Sequence, residues 1–328
     1  MTVPTLGIAA TATHLPATHQ TARSVGIPET DAATCDFEGY EQVPVARGNP
    51  VEDLAVPAAE AALRQSGHPP EDIDLVVYAW IHHQGDQVPM PHARLARLLG
   101  AHHATALGVQ QMSNGGGAAV ETATALLRTG RYRTALVATA DIFDDDPHTR
   151  WIDRAARGIL LGDGATAAVL DTTRRPLTIA AVASSGRPDA ELQFFADFAP
   201  GNPIHQRPHG KTLRPEAIPA MRACITTAVT QALDQAGLAP GDPRIRAVAF
   251  TRLGRTLLRR VFYPALPTGL PRPLQLTADT GHLGAGDLLA NLAHIHHNIP
   301  LTPGDYALIV NIAMGFTTTA VIIQANGR

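Results

Sequence analysis

An internal repeat constrains this chain more than any other feature. Residues 60–80 read EAALRQSGHPPEDIDLVVYAW, and residues 231–250 read QALDQAGLAPGDPRIRAVAF. Each is an Ala- and Leu-rich helix, a glycine stop, a Pro- and Asp-rich turn and a β-branched apolar strand. Gly67 and Gly237 suit helix C-termini, and the prolines just beyond prevent continuation. A second pair follows, GGAAVETATALLRTGRYRTALVATA at 116–140 and GAGDLLANLAHIHHNIPLTPGDYALIVNIA at 284–313. A third pair, GDGATAAVL (162–170) and MGFTTTAVII (314–323), reads as a glycine turn feeding a strand. Three pairs in the same order predict a duplicated α/β unit, with halves at 1–172 and 173–328. Apolar strands alternating with helices predict sheets covered on both faces. Helices so rich in Ala and Gly can lie between two sheets, which gives an α/β/α/β/α sandwich of five layers from two pseudo-symmetric halves.

The 328 residues are 45% hydrophobic, enough for a large core. Lys and Arg total 26 against 29 Asp and Glu. That balance argues against nucleic acid or an anionic membrane as a partner. No apolar run of transmembrane length and no signal-peptide pattern is present, so a cytoplasmic protein is expected. Cys35 and Cys224 give neither a disulfide framework nor metal-ligand spacing. Cys224 lies in a helical apolar pattern and reads as core. The 15 histidines are scattered, and no metal is expected. HIHHN (294–298) reads as the end of a helix, where His is favourable beside the negative pole of the dipole.

LGVQQMS (107–113) followed by NGGGAAVETATALL reads as a strand running into a helix, with Ser113 at the junction. The first N–H groups of a helix lack internal partners and carry partial positive charge. A serine there can attack a carbonyl while those groups hold the oxyanion. It can equally be an N-cap, the commonest use of Ser before a helix. The repeat shifts the balance. The matching elbow in the second half is ADTGHLGAGDLLANL, which puts His282 at the position related to Ser113. If the halves are related by a pseudo-twofold axis, the two residues face one another. A serine hydroxyl needs a base within reach, and histidine is the usual one. Asp287 could orient the imidazole, or serve only as a first-turn carboxylate.

These segments resemble the thiolase superfamily, and within it the β-ketoacyl-ACP synthase III group. The resemblance covers nearly the whole chain. GIAATATHLP (7–16) is similar to that group's opening strand, and 107–117 to its nucleophile loop. DRAARGILLGDGATAAVL (153–170) is similar to its Asp-Arg and Gly-Asp-Gly segment, TGHLGAGD (280–287) to its Gly-Asn segment, and NIAMGFTTTAVII (311–323) to its closing turn and strand. Condensing members use Cys, His and Asn. Here those positions hold Ser113, Arg252 in FTRLGRTLL, and His282. The pair that polarises a malonyl thioester for decarboxylation is therefore replaced.

What the resemblance implies is an acyltransferase of the kind found in antibiotic pathways. An acyl group would pass from an acyl carrier protein or coenzyme A thioester, through Ser113, to a hydroxyl or amine of a small molecule, with His282 and Asp287 assisting. No cofactor beyond the phosphopantetheine or CoA of the donor is implied. The family places the oxyanion hole at the amides of Ser113 and Met314, and the nucleotide or carrier end of the donor at Arg154. Arg252, and His83 at the end of the strand VVYAWI, are candidate substrate contacts. Residues 186–217 read as a lid or substrate loop, and a homodimer is expected. Two alternatives stay open: a starter-unit condensing enzyme of polyketide biosynthesis, and an inactive partner subunit.

Overall fold

The helix stops fall at the two repeated glycines. Helices are α1 (Ala32–Glu38), α2 (Glu52–Ser66), α3 (Pro91–Leu99), α4 (Gly115–Arg128), α5 (Ala217–Ala236) and α6 (Asp287–Asn298). Gly67 ends α2 at φ 71° and Gly237 ends α5 at φ 64°, left-handed conformations that glycine adopts without a Cβ clash. The computed structural model describes residues 5–24, 32–48, 50–82, 84, 90–143, 150–152, 159–173, 176–188 and 216–326.

The strands are β1 (Gly7–His14), β2 (His19–Thr21), β3 (Gln42–Pro44), β4 (Leu75–Ala79), β5 (Thr105–Val109), β6 (Thr134–Asp141), β7 (Trp151–Ile152), β8 (Ile159–Leu160), β9 (Gly164–Asp171), β10 (Leu177–Gly186), β11 (Ile245–Phe250), β12 (Tyr306–Ala313) and β13 (Thr317–Ala325). Two short ribbons, β2–β3 and β7–β8, stand apart from the main sheet, whose order is β11-β12-β13-β10-β1-β9-β6-β4-β5. Its middle join is slight: β1 meets β10 only at Gly7↔Thr178 and Ile8↔Leu177. On either side the order runs alike. β1-β9-β6-β4 is matched by β10-β13-β12-β11, with antiparallel pairs first and a parallel pair last.

The match fails at the outer edge. β5 pairs in parallel with β4, whereas the corresponding segment beside β11 is held by a single bond, Leu274 N–H to Val248 O at 2.8 Å. Pro267, Pro271 and Pro273 lie in that segment. Proline has no N–H to give a ladder, so a regular fifth strand cannot form there.

Packing resolves the layers. One buried cluster holds Ala119, Val120 and Ala123 of α4 and Leu288, Leu289 and Leu292 of α6, with β-strand residues from both halves. A second sets α2 and α3 against the other face of the first half's strands, and a third does the same for α5 in the second half. The central helices therefore lie between two sheet halves, with outer helices beyond each. Cys224 is 1% exposed on α5, a core residue as its pattern predicts. Among the described residues, no helix is long and apolar enough to cross a membrane.

Close packing at the centre requires small residues. A Cβ on Gly116 of α4 would lie 2.5 Å from the carbonyl oxygen of Ala285, just before α6. The two elbows can approach only because Gly116 has no side chain.

Candidate active site

Ser113 sits in a tight turn, Met112–Asn114, between β5 and α4. Met112 has φ 47°, a left-handed conformation that is uncommon for a non-glycine residue. Such conformations persist where surrounding structure fixes them, often at functional sites. Here the fixing contacts are visible. The Asn311 amide donates to the Ser113 carbonyl at 2.5 Å and accepts from the Thr251 hydroxyl at 2.8 Å. Asn114 is buried and donates to Gln111 at 2.7 Å and Thr319 at 2.8 Å.

The Ser113 side chain does not cap the helix. The N-cap position of α4 is Asn114, and no side-chain cap bond is made there. Ser113 Oγ lies 2.7 Å from His282 Nε2 instead. The capping alternative is removed, and the pairing expected from the repeat is present.

His282 is held by the first half of the chain. Its N–H donates to Leu160 O at 2.7 Å, and its carbonyl accepts from Gly162 N–H at 3.0 Å. That grip explains the neighbouring Gly-Asp-Gly segment. Asp163 is fully buried, pairs with Arg150 at 2.9 Å and accepts N–H bonds from Ala46 and Phe143 at 2.7 and 2.9 Å. The motif thus anchors the backbone from which His282 is hung.

The His282 ring is 2% exposed, and its Nδ1 lies 2.6 Å from Asp287 Oδ2. Asp287 opens α6, is fully buried, and has every contact made by a donor. Leu283 N–H donates to Oδ1 at 2.8 Å and Arg252 N–H to Oδ2 at 2.6 Å. A carboxylate there fixes the tautomer: Nδ1 carries the proton toward Asp287, which leaves Nε2 free to accept from the serine hydroxyl. This assignment follows from the hydrogen-bond network. The result is a Ser–His–Asp line with the geometry of a nucleophile, its base and the base's orienter.

A second buried carboxylate lies beneath the His282 loop. Asp141, at the end of β6, accepts N–H bonds from Ile81, His82 and Ala285 at 2.8, 2.9 and 3.0 Å. Burial pushes its pKa up to about 6, against those N–H donors and the nearby His282. Gly284 must pass over it: φ is 61°, and a Cβ there would sit 2.4 Å from Asp141 Oδ2. Asp141 and Asn311 were not singled out from sequence. Asn311 interrupts the apolar run YALIVNIA and Asp141 is the only charged residue in the strand TALVATAD, and those interruptions are the signal that could have found them.

The remaining candidates are distributed as follows. Met314 begins the turn between β12 and β13; neither its amide nor that of Ser113 has a hydrogen-bond partner among the described residues. Arg252 is only 7% exposed, and its guanidinium donates to Asn291 at 2.9 Å and Thr280 at 2.8 Å. Its backbone amide contacts Asp287 directly, and its charge and that of Asp287 attract without an ion-pair contact. Arg154, His83 and most of the 186–217 segment lie outside the described residues. Among the described residues, no three His, Cys, Asp or Glu side chains gather as a metal site.

Comparison with known proteins places the chain by family and fold. Residues 107–186, which span the serine elbow and the Gly-Asp-Gly segment, match the family profile of 3-oxoacyl-[acyl-carrier-protein (ACP)] synthase III. The β-ketoacyl-[acyl-carrier-protein] synthase III of Bradyrhizobium diazoefficiens is 32% identical over 295 residues, covering 85% of each chain. Among solved structures, ChlB3, described as an acyltransferase, superposes with a TM-score of 0.84 at 29% identity, covering 98% of both chains. AbyA1, a tetronic acid condensing enzyme, shares the fold with a TM-score of 0.80 at 20% identity, over 98% of this chain and 100% of its own. The chain belongs to the β-ketoacyl-[acyl-carrier-protein] synthase III family of thiolase-fold enzymes.

Proposed function

We propose that this protein is an acyltransferase that carries its acyl group on Ser113 and passes it to a hydroxyl or amine of a small acceptor. The observation that carries the reading is the continuous line from Ser113 Oγ to His282 Nε2 at 2.7 Å and from His282 Nδ1 to Asp287 at 2.6 Å. Ser113 and His282 stand where condensing relatives are expected to hold Cys and Asn, and Arg252 stands where they are expected to hold His.

Ser113 Oγ attacks the thioester carbonyl carbon as His282 Nε2 takes the hydroxyl proton. The oxyanion is received by the amides of Ser113 and Met314. Collapse breaks the carbon–sulfur bond, and His282 returns its proton to the departing thiolate. This leaves an acyl-serine ester and a free thiol. An acceptor O–H or N–H then gives its proton to His282, attacks the ester, and the proton returns to Ser113 Oγ. Asp287 stabilises the imidazolium in both halves. The donor is a phosphopantetheine thioester, on an acyl carrier protein or as coenzyme A, consistent with the carrier protein in the relatives' names. ChlB3, described as an acyltransferase and 29% identical, supports the transfer reading.

The rival reading, condensation with a malonyl carrier, needs decarboxylation and a carbon–carbon bond. Incubation with acetyl and carboxyl-labelled malonyl donors separates the two. Transfer predicts acceptor-dependent ester or amide product without labelled carbon dioxide. Release of label with a β-ketoacyl product would refute it.

A further inference from the structure

A cleft of about 370 Å³ opens beside the last two turns of α6. Asp287 opens this helix, and Ala290, one turn along it, is the first α6 residue to line the cleft. The volume is at the low end of small-molecule sites. Its lining includes Thr11, Gln65, Arg252, His294, His297 and Asn298, and no described Asp or Glu lines it.

Arg252 is the unusual member. Its guanidinium is 7% exposed, yet Nε and Nη1 donate only to the neutral acceptors Asn291 and Thr280. Among the described residues it forms no ion pair, and Nη2 has no hydrogen-bond partner. Burial pushes its pKa down, and the Asp287 charge opposes that shift without a direct ion pair. His294 is held down in turn, by burial and by the Arg252 charge. His297 Nε2 lies near the hydroxyl and carbonyl of Thr11, at 3.2 and 3.1 Å, which fixes the ring at the cleft wall. Arg252, His294 and His297 therefore line one space in which no described residue is an acid.

We propose that this cleft is a binding site for a small phosphate monoester, whose phosphate is held by Arg252 Nη2, His294 and His297. A phosphate dianion accepts from several separate donors and suits a guanidinium whose Nη2 has no protein partner among the described residues. Gln65 and Asn298 suit the hydroxyls of its organic part. The site goes beyond the acyl-transfer chemistry and is distinct from the Ser113 line. It still touches that line, because the Arg252 amide donates to Asp287 Oδ2, the same oxygen that holds His282. An occupant that draws on Arg252 is therefore expected to alter Ser113 loading.

Isothermal titration of the whole enzyme with glucose 1-phosphate tests this, with glucose and matched chloride as controls. Saturable binding is expected for the phosphate ester and for inorganic phosphate, and none for glucose. Ala61→Glu places an acid in the cleft wall, and His294→Gln removes one base. Each is expected to weaken binding at least about tenfold, a shift of about 1.4 kcal/mol or more. Absence of saturation overturns the proposal. So does binding that is unchanged in both variants, or that is displaced by coenzyme A and unaffected by them, which would put the phosphate in the donor site. Ser113 loading measured with and without glucose 1-phosphate reads the coupling, and an unchanged rate at saturation overturns that part. Binding is measured without any acyl donor, so its failure is distinct from failure of the transfer mechanism.

Discussion

Replacing Asp287 by Asn changes one oxygen for an NH2 and little else. Asp287 has three donors arranged on it: Leu283 N–H on Oδ1, and Arg252 N–H and His282 Nδ1 on Oδ2. An amide cannot accept from both sides. If its NH2 replaces Oδ2, Arg252 N–H is orphaned and His282 must turn Nδ1 into an acceptor. The proton then moves to Nε2, facing Ser113 Oγ, and the base is lost. If the NH2 replaces Oδ1, Leu283 N–H is orphaned, the tautomer survives, and the negative charge beside the imidazolium is gone. Either way one buried donor is unpaired, at about 1–3 kcal/mol of stability. The rate penalty spans about 10² to 10⁴-fold, the upper value being that of a wrong tautomer in a serine triad. At 1.36 kcal/mol per decade, this is about 3–5 kcal/mol of activation free energy. Quenched-flow mass analysis of Ser113 loading, with urea melts alongside, separates the two effects. A folded Asp287→Asn protein that loads within tenfold of wild type would refute the role given to this carboxylate.

Three further outcomes follow from the same geometry. Gly284→Ala is expected to lower stability by more than about 2 kcal/mol in urea melts, since it adds left-handed strain to a clash with Asp141. Asn311→Ala leaves the Ser113 carbonyl without its donor and the Thr251 O–H without its acceptor, and is expected to destabilise by about 1–3 kcal/mol while slowing loading. Asp141 has its pKa raised from 3.8 to about 6 by burial, so the folded state favours its protonated form. Its contribution is complete below about pH 4 and falls as pH rises through 6, by about 3 kcal/mol at 1.36 kcal/mol per unit. Wild type should accordingly lose stability relative to Asp141→Asn between pH 4.5 and 6.5; a gap that stays constant with pH contradicts the shift.

The layered architecture was legible because duplication repeats the same stops and strands, and Gly67 and Gly237 mark corresponding helix ends. The unequal edge was not foreseen. The prolines at 267, 271 and 273 that spoil a fifth strand are visible in the sequence, but the bond they leave, Leu274 to Val248, is a tertiary fact. Ser113 alone read as a helix cap or a nucleophile, and only the repeat put His282 opposite it. Arg252 was read through resemblance as a substrate contact; that its Nε and Nη1 bond Asn291 and Thr280 was not legible, because those acceptors come from distant segments that meet it in a buried turn after β11. Asp141 and Asn311 escaped because hydrophobic patterning averages over a strand, and a single buried polar residue acquires meaning only when its partners come from distant segments.

The central claim is that Ser113 becomes covalently acylated. Intact-mass analysis of the enzyme after incubation with acyl-carrier or acyl-CoA donors tests it directly. The account predicts a mass increase of one acyl group on the wild type, abolished in Ser113→Ala and strongly slowed in His282→Ala. An adduct retained by Ser113→Ala, or acyl transfer to acceptor with no adduct on a wild-type enzyme quenched during turnover, would contradict it.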